Sequence, residues 1–71
     1  MKELRIKNNL TQKTMAKFLN LTVPAYSRKE NGQRSFTIDE AVKLSKFFKT
    51  SIEELFFMDF LSKGWEKYYD N

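Results

Sequence analysis

Two capping boxes constrain the fold of this chain more than any other feature. Thr37 is followed by Glu40, and Ser51 by Glu54, each at the start of a stretch with regularly spaced apolar residues. The first residue's hydroxyl can accept from the backbone N–H three residues on, while the glutamate bonds back, so each pair indicates a helix start. Two such starts in a chain of 71 residues predict an all-α fold.

Two short helices are predicted near the start of the chain. The first runs from Lys2 to about Asn8 and ends at Asn8-Asn9, because asparagine tolerates the left-handed conformation. Thr11 is in position to cap the second. Helical spacing predicts an inward face for this second helix made of Met15, Ala16 and Leu19.

Two longer stretches follow. The stretch "TVPAYSRKENGQR" predicts a third helix that ends at Asn31-Gly32, where glycine adopts a left-handed cap without a steric penalty. Thr37 opens the fourth. Its apolar stripe has helical rather than strand spacing and consists of Ala41, Leu44, Phe47 and Phe48.

Composition excludes several classes of function. The chain has no cysteine and no histidine, which removes disulfides, thiolate metal sites and the commonest general base. The adjacent acids at 39–40 and 53–54 lie in first helical turns, where they complement the helix dipole. We therefore expect no enzyme, no metal and no cofactor. No apolar run approaches the roughly 20 residues of a membrane span, and we expect a cytoplasmic protein without a membrane partner.

Charge is distributed unevenly along the chain. Residues 1–34 hold eight basic and two acidic side chains, a net +6, whereas residues 35–71 hold five basic and seven acidic ones, a net −2. A basic half beside a mildly acidic half suggests a polyanionic partner on one side only. Charge alone also fits an ordinary lysine-rich, solvated surface.

Two short helices joined by the three-residue turn "NLT" describe a helix-turn-helix. The motifs "LR", "LTQ", "YSRKENGQR" and "SIEELF" resemble the lambda-repressor-like family of the Cro/C1, or xenobiotic-response-element, type over about residues 1–56. The resemblance implies a compact five-helix DNA-binding domain over 1–57 and a short aromatic extension over 58–71. It also implies a sequence-specific transcriptional regulator, in particular a dimeric repressor of bacterial, phage or mobile-element origin that reads a palindromic operator.

The third helix is then the expected recognition helix in the major groove of double-stranded DNA. Helical spacing turns Val23, Tyr26 and Glu30 toward one side and Pro24, Ser27 and Arg28 toward the other. Arg28 is the expected polar base reader, because its guanidinium matches guanine O6 and N7. The full set of expected DNA contacts is Gln12, Lys13, Thr22, Val23, Pro24, Ala25, Ser27, Arg28, Asn31, Gln33 and Arg34.

The resemblance assigns further roles. It makes Gln12, Gln33 and the loop after the third helix contacts to the DNA backbone, and it pairs Arg5 with Glu30 as a structural ion pair. The cap of the third helix stays open between two residues. The family pattern points to Thr22, whereas Pro24 in the first helical position would make Val23 the N-cap.

The sequence departs from the family pattern at three places. Lys29 stands where an aromatic or aliphatic residue is usual, so a lysine stem is expected to replace part of the core there. Lys49 and Thr50 replace Gly-Val ahead of the last helix, which predicts a tighter or differently capped turn. Asn20 replaces a frequent glycine, a mild change because asparagine also accepts positive φ.

The final stretch, "FFMDFLSKGWEKYYDN", holds six of the chain's eleven aromatic residues. It can either complete the small core or form a surface for self-association, in which aromatic residues and methionine are enriched. We favour a homodimer interface made of Phe57, Met58, Phe60, Leu61 and Trp65. The alternative functions are an antitoxin or restriction-controller type of regulator, and a protein-interaction module that uses this aromatic surface.

Overall fold

A computed structural model describes residues 1–55, which form helices and no strands. The helices are α1 (Lys2–Lys7), α2 (Gln12–Phe18), α3 (Val23–Glu30) and α4 (Ile38–Phe48). Residues 52–55 are also helical and belong to the fifth helix, α5. The predicted all-α, five-helix fold is confirmed. None of the helices within residues 1–55 has the length and apolar character that a membrane span requires.

Side-chain caps determine where four of the helices begin. The hydroxyl oxygens of Thr11, Thr22 and Thr37 accept from the backbone N–H groups three residues on, at 3.1, 3.2 and 3.1 Å. At Thr37 the box is complete, because Glu40 Oε1 also accepts from the Thr37 N–H at 2.9 Å. At α5 the Ser51 hydroxyl accepts from the Glu54 N–H at 3.1 Å, and the Glu54 carboxylate accepts from the Thr50 hydroxyl at 2.9 Å. The predicted caps at Thr11, Thr37 and Ser51 are therefore confirmed. The full capping box predicted at Ser51 is not formed, because the Glu54 side chain bonds to Thr50 instead of to the Ser51 N–H.

Left-handed residues shape the connections between helices. Asn9, Asn20 and Lys49 have φ of 58°, 61° and 53°. Asparagine visits this conformation more readily than other residues with a Cβ atom, so the first two connections suit their sequence. Lys49 is less suited to it, and adopts it at the C-cap of α4, where the family usually has glycine.

The core is a cluster of buried side chains from all parts of the described chain. Its members are Met1, Met15, Ala16, Leu19, Tyr26, Leu44 and Leu55. The predicted inward face of α2 is thus confirmed. In α4, Ala41 and Leu44 are buried and Phe48 packs against the cluster.

Phe47 differs from the predicted inward stripe of α4, because it is 44% exposed. Its ring lies at the edge of the stripe, where it contacts Phe18 of α2 with a centroid distance of 4.8 Å. The same ring meets Phe48 edge-on at 5.0 Å. Helical spacing placed Phe47 near the core but could not show that α2 leaves this edge partly uncovered.

Candidate nucleic-acid interface

Helix α3 packs against α2 and buries one side. Tyr26 and Glu30, one helical turn apart, are 0% and 1% exposed. Burial of a glutamate requires partners for its carboxylate, because an unpaired buried charge is very costly. The partners of Glu30 therefore determine how firmly the buried side of α3 is held against the rest of the domain.

Three side chains saturate the Glu30 carboxylate. Arg5 Nε donates to Oε2 at 2.8 Å and Arg5 Nη2 to Oε1 at 3.3 Å. Gln12 Nε2 donates to Oε1 at 3.0 Å, and the Tyr26 hydroxyl donates to Oε2 at 2.8 Å. Arg5 Nη1 also donates to the Leu10 carbonyl at 2.8 Å. The Arg5–Glu30 pair expected from the resemblance is present, and it ties α1, α2 and α3 to one carboxylate.

Opposing influences act on the pKa of Glu30. Burial, the largest, raises it, but the hydrogen bonds from Arg5, Gln12 and Tyr26 together outweigh burial and leave the pKa below its ordinary value. The hydrogen bond to Glu30 in turn raises the pKa of Arg5 above its ordinary value. Both groups are charged at neutral pH, so the contact is an ion pair as well as a hydrogen-bonded one.

The opposite side of α3 faces outward. Pro24 and Arg28 are exposed, and Ala25 and Ser27 are half-buried. Arg28 makes no ion pair within residues 1–55. Val23 differs from the packing role that its spacing suggested. It is 40% exposed, since burial of this face is confined to the later turns of the helix, and it extends the apolar edge formed with Pro24 and Ala25.

Thr22 is the N-cap of α3, as the family pattern suggested, and the choice of Val23 is wrong. Its hydroxyl accepts from the Ala25 N–H at 3.2 Å and still carries a proton to donate. Pro24 occupies the second helical position rather than the first. Neither position has an intrahelical acceptor for its N–H, so proline is accommodated at both.

A Schellman motif ends α3 and starts the loop that follows. Gly32 is left-handed, with φ of 80°, as predicted. Its N–H donates to the Lys29 carbonyl at 3.2 Å, and the Gln33 N–H donates to the Arg28 carbonyl at 2.8 Å. The Arg34 N–H shares that Arg28 carbonyl at 3.2 Å. The side chains of Gln33 and Arg34 are exposed beside the end of α3.

Two predicted contacts are partly engaged within the protein. Gln12, the first residue of α2, is half-buried, and its amide nitrogen donates to Glu30 as described above. Asn31 is exposed, and its side-chain nitrogen donates to the Ser27 hydroxyl at 3.3 Å. Lys13, by contrast, is exposed on the outer side of α2. The predicted set thus clusters on the first turn of α2, the outer side of α3 and the loop after it.

The positive charge of residues 1–34 is mostly exposed. Of its eight cations, Arg5 binds Glu30 and Lys29 binds Glu40 of α4, with Lys29 Nζ 2.6 Å from Glu40 Oε1. The other six are exposed: Lys2, Lys7, Lys13, Lys17, Arg28 and Arg34. Against them stands one exposed carboxylate, that of Glu3. The +6 of this half therefore remains largely available to an anionic partner.

Sequence reasoning missed two parts of this arrangement. The sequence did not predict that Gln12 and Tyr26 donate to Glu30. Tyr26 is four residues from Glu30, which is one helical turn, whereas Gln12 is 18 residues away. The Lys29–Glu40 pair was also missed. Its only signal was a lysine at a position where the family usually has an apolar residue.

Two further predictions concern the dimer interface and metal binding. The proposed dimer residues Phe57, Met58, Phe60, Leu61 and Trp65 lie outside the described residues. Within residues 1–55, no three His, Cys, Asp or Glu side chains come together in a way that could hold a metal ion.

A supporting helix and an outward-facing helix, joined through Leu19–Thr22 with a left-handed Asn20, define a helix-turn-helix domain. The sequence matches the family model described as Helix-turn-helix over residues 1–55, and the chain belongs to that family, in its lambda-repressor-like, Cro/C1-type form. This is a family of DNA-binding transcription regulators. No curated protein and no solved structure shows a significant match to the chain.

Proposed function

We propose that the protein is a sequence-specific transcriptional repressor that inserts α3 into the major groove of double-stranded DNA. The observation that carries this proposal is that α3 has one buried side and one exposed side. On one side of α3, Tyr26 and Glu30 are buried within the domain, whereas on the other side Pro24 and Arg28 project outward. A major groove about 12 Å wide admits a helix of this kind.

Base reading falls mainly to Arg28. Its exposed guanidinium enters no ion pair within the described residues, and an arginine fork pairs with guanine O6 and N7. Val23, Pro24 and Ala25 offer only apolar atoms, which suit a thymine methyl group. Ser27 adds a hydroxyl on the same side.

The proposed contacts to the DNA backbone lie on either side of the recognition helix. Gln12, Lys13 and Thr22 lie at the first turns of α2 and α3, and Gln33 and Arg34 lie in the loop after α3. Asn31 stands at the junction of helix and loop. Contacts of this kind hold the protein in register on the duplex without reading sequence, and they make affinity sensitive to salt.

We further propose that the working form is a homodimer joined through Phe57, Met58, Phe60, Leu61 and Trp65. One helix-turn-helix buries too little surface for typical specific affinity, and a two-fold dimer presents two recognition helices about 34 Å apart. The dimer would therefore bind a palindromic operator. Repression follows if that operator overlaps a promoter.

Selection of bound duplexes from a random pool at physiological salt tests the proposal. We expect an enriched palindrome with half-sites one helical turn apart, and specific binding at least a thousandfold tighter than binding to scrambled duplex. Fluorescence anisotropy with labelled duplexes measures this ratio. Enrichment of no sequence over the starting pool would refute sequence-specific binding, and enrichment of single half-sites would refute the dimer.

A further inference from the structure

Lys29 lies in the last turn of α3 and turns away from the predicted DNA side. Its Nζ donates to Glu40 Oε1 at 2.6 Å, and the two side chains are only 13% and 12% exposed. The pair joins the end of α3 to the first turn of α4.

The oxygen that receives Lys29 has a second partner. Glu40 Oε1 also accepts from the backbone N–H of Thr37, the N-cap of α4, at 2.9 Å. One carboxylate oxygen therefore connects α3 to the start of α4 across residues 31–36. These contacts lower the pKa of Glu40, because the raising effect of burial is outweighed by the Lys29 ammonium and the Thr37 backbone.

The connected segment carries the predicted backbone contacts. Gln33 and Arg34 are exposed within it, and their N–H groups both donate to the Arg28 carbonyl. At its other end Phe36 is half-buried, with its ring 6.2 Å from that of Tyr26. The segment is thus tied at its start by backbone hydrogen bonds and at its end by an aromatic contact and by Glu40.

We propose that Lys29 is a positioning residue of the DNA interface. Through Glu40 it holds residues 31–36 in the shape in which Gln33 and Arg34 meet the DNA backbone, while Lys29 itself contacts no phosphate. This inference rests on the proposed function and deepens it. It also explains why Lys29, unlike the six exposed cations of residues 1–34, faces inward.

The physical reason is preorganisation. A loop that is ordered before binding loses less conformational entropy when its side chains engage a ligand. An apolar side chain at position 29 would fill the space beneath the loop but could not bond to Glu40 Oε1. The ammonium instead fixes the distance between the last turn of α3 and the N-cap of α4.

Lys29→Met tests the role, because methionine keeps much of the aliphatic stem and removes the ammonium. Binding to the selected operator duplex is measured by fluorescence anisotropy at several salt concentrations. We expect affinity to fall about tenfold with the slope of log K against log salt unchanged. In a background where Gln33 and Arg34 are both replaced by alanine, the same substitution should have no further effect. Lys29→Arg should retain affinity, because a guanidinium still donates to Glu40.

Lys46→Met is the matched control, since Lys46 is an exposed lysine of α4 and its loss changes net charge equally. An affinity for Lys29→Met equal to that of Lys46→Met would overturn the proposal. So would a full tenfold loss in the alanine background, or a salt slope reduced by about 0.9, the value for one phosphate contact. Circular dichroism checks folding. If Lys29→Met is unfolded, Lys29→Leu takes its place, because leucine also removes the ammonium, and the same pattern is expected.

Hydrogen exchange in the free protein separates this inference from the proposed function. The amides of Gln33 and Arg34 should exchange about tenfold faster in Lys29→Met than in wild type or Lys46→Met. Unchanged exchange would overturn the inference even if DNA binding is established. Faster exchange in a protein that binds no duplex would support the tie across the loop but refute its role in DNA recognition, and with it the proposed function.

Discussion

Replacing Arg5 by leucine should be among the most damaging single substitutions in the domain. Glu30 is 1% exposed, and Arg5 supplies two of its four hydrogen bonds together with its only countercharge among the contacts described. Removing one partner of a buried ion pair leaves an uncompensated charge, which costs about 3–5 kcal/mol. Because a domain of this size has roughly 4–10 kcal/mol of total stability, Arg5→Leu should unfold at far lower urea concentration than wild type.

The effect should shrink in acid. In wild type the folded pKa of Glu30 is lowered, so its stabilising contribution is complete above the ordinary value of about 4.3 and is lost as pH falls through the folded pKa. In Arg5→Leu, burial raises the folded pKa with less opposition. Protonation then stabilises the variant as pH falls through that raised value. The difference in unfolding free energy should therefore decrease between pH 7 and about pH 4.

Urea unfolding followed by circular dichroism at 10 °C measures both effects. Arg5→Leu/Glu30→Met should recover much of the loss, because the stranded charge is gone. Arg28→Leu, an exposed arginine replaced in the same way, should change stability by less than about 0.5 kcal/mol. A cost for Arg5→Leu below about 1 kcal/mol, the value of an exposed pair, would refute the reasoning. A cost that is independent of pH would refute it as well.

Four further outcomes are expected. Arg28→Ala should cost about 1–3 kcal/mol at one operator position and relax base preference there; a preference profile identical to wild type would rule out base reading by this residue. Arg34→Ala should weaken binding to all duplexes alike and reduce the salt slope by about 0.9, whereas a loss confined to one sequence would contradict a backbone contact. Lys49→Gly should stabilise the domain by about 1 kcal/mol and raise Tm by several degrees, because glycine occupies φ near 53° without a Cβ penalty; calorimetry showing no rise would argue against strain at this residue. Deletion of residues 60–71 should give monomers in sedimentation, and persistent dimers would move the interface elsewhere.

Local rules account for the parts of the fold that were predictable. The threonine caps, the left-handed Asn20 and the Gly32 stop each depend on a residue and its near neighbours in sequence, so they could be predicted before any packing was known. The N-cap of α3 was ambiguous for the same reason. Local chemistry accepts Pro24 at either of the first two helical positions, and only the observed turn decides between them.

Contacts between distant residues account for what was missed. Lys29 and Glu40 are 11 residues apart, on different helices, and neither residue type indicates its partner. The exposure of Phe47 likewise depends on how far α2 extends over α4. The Arg5–Glu30 pair was predictable only through the resemblance to a family, because a separation of 25 residues carries no periodic signal.

The Arg28 carbonyl accepts from the N–H groups of both Gln33 and Arg34. This arrangement bears on how the DNA sequence that such a protein prefers can change. Every amino acid supplies the same carbonyl oxygen, so the main-chain anchor of the loop is indifferent to the side chain at position 28. If α3 reads DNA as we propose, exchanging that side chain should alter the preferred base at one operator position while the loop that carries Gln33 and Arg34 keeps its shape. A single substitution would then be enough to retarget the protein.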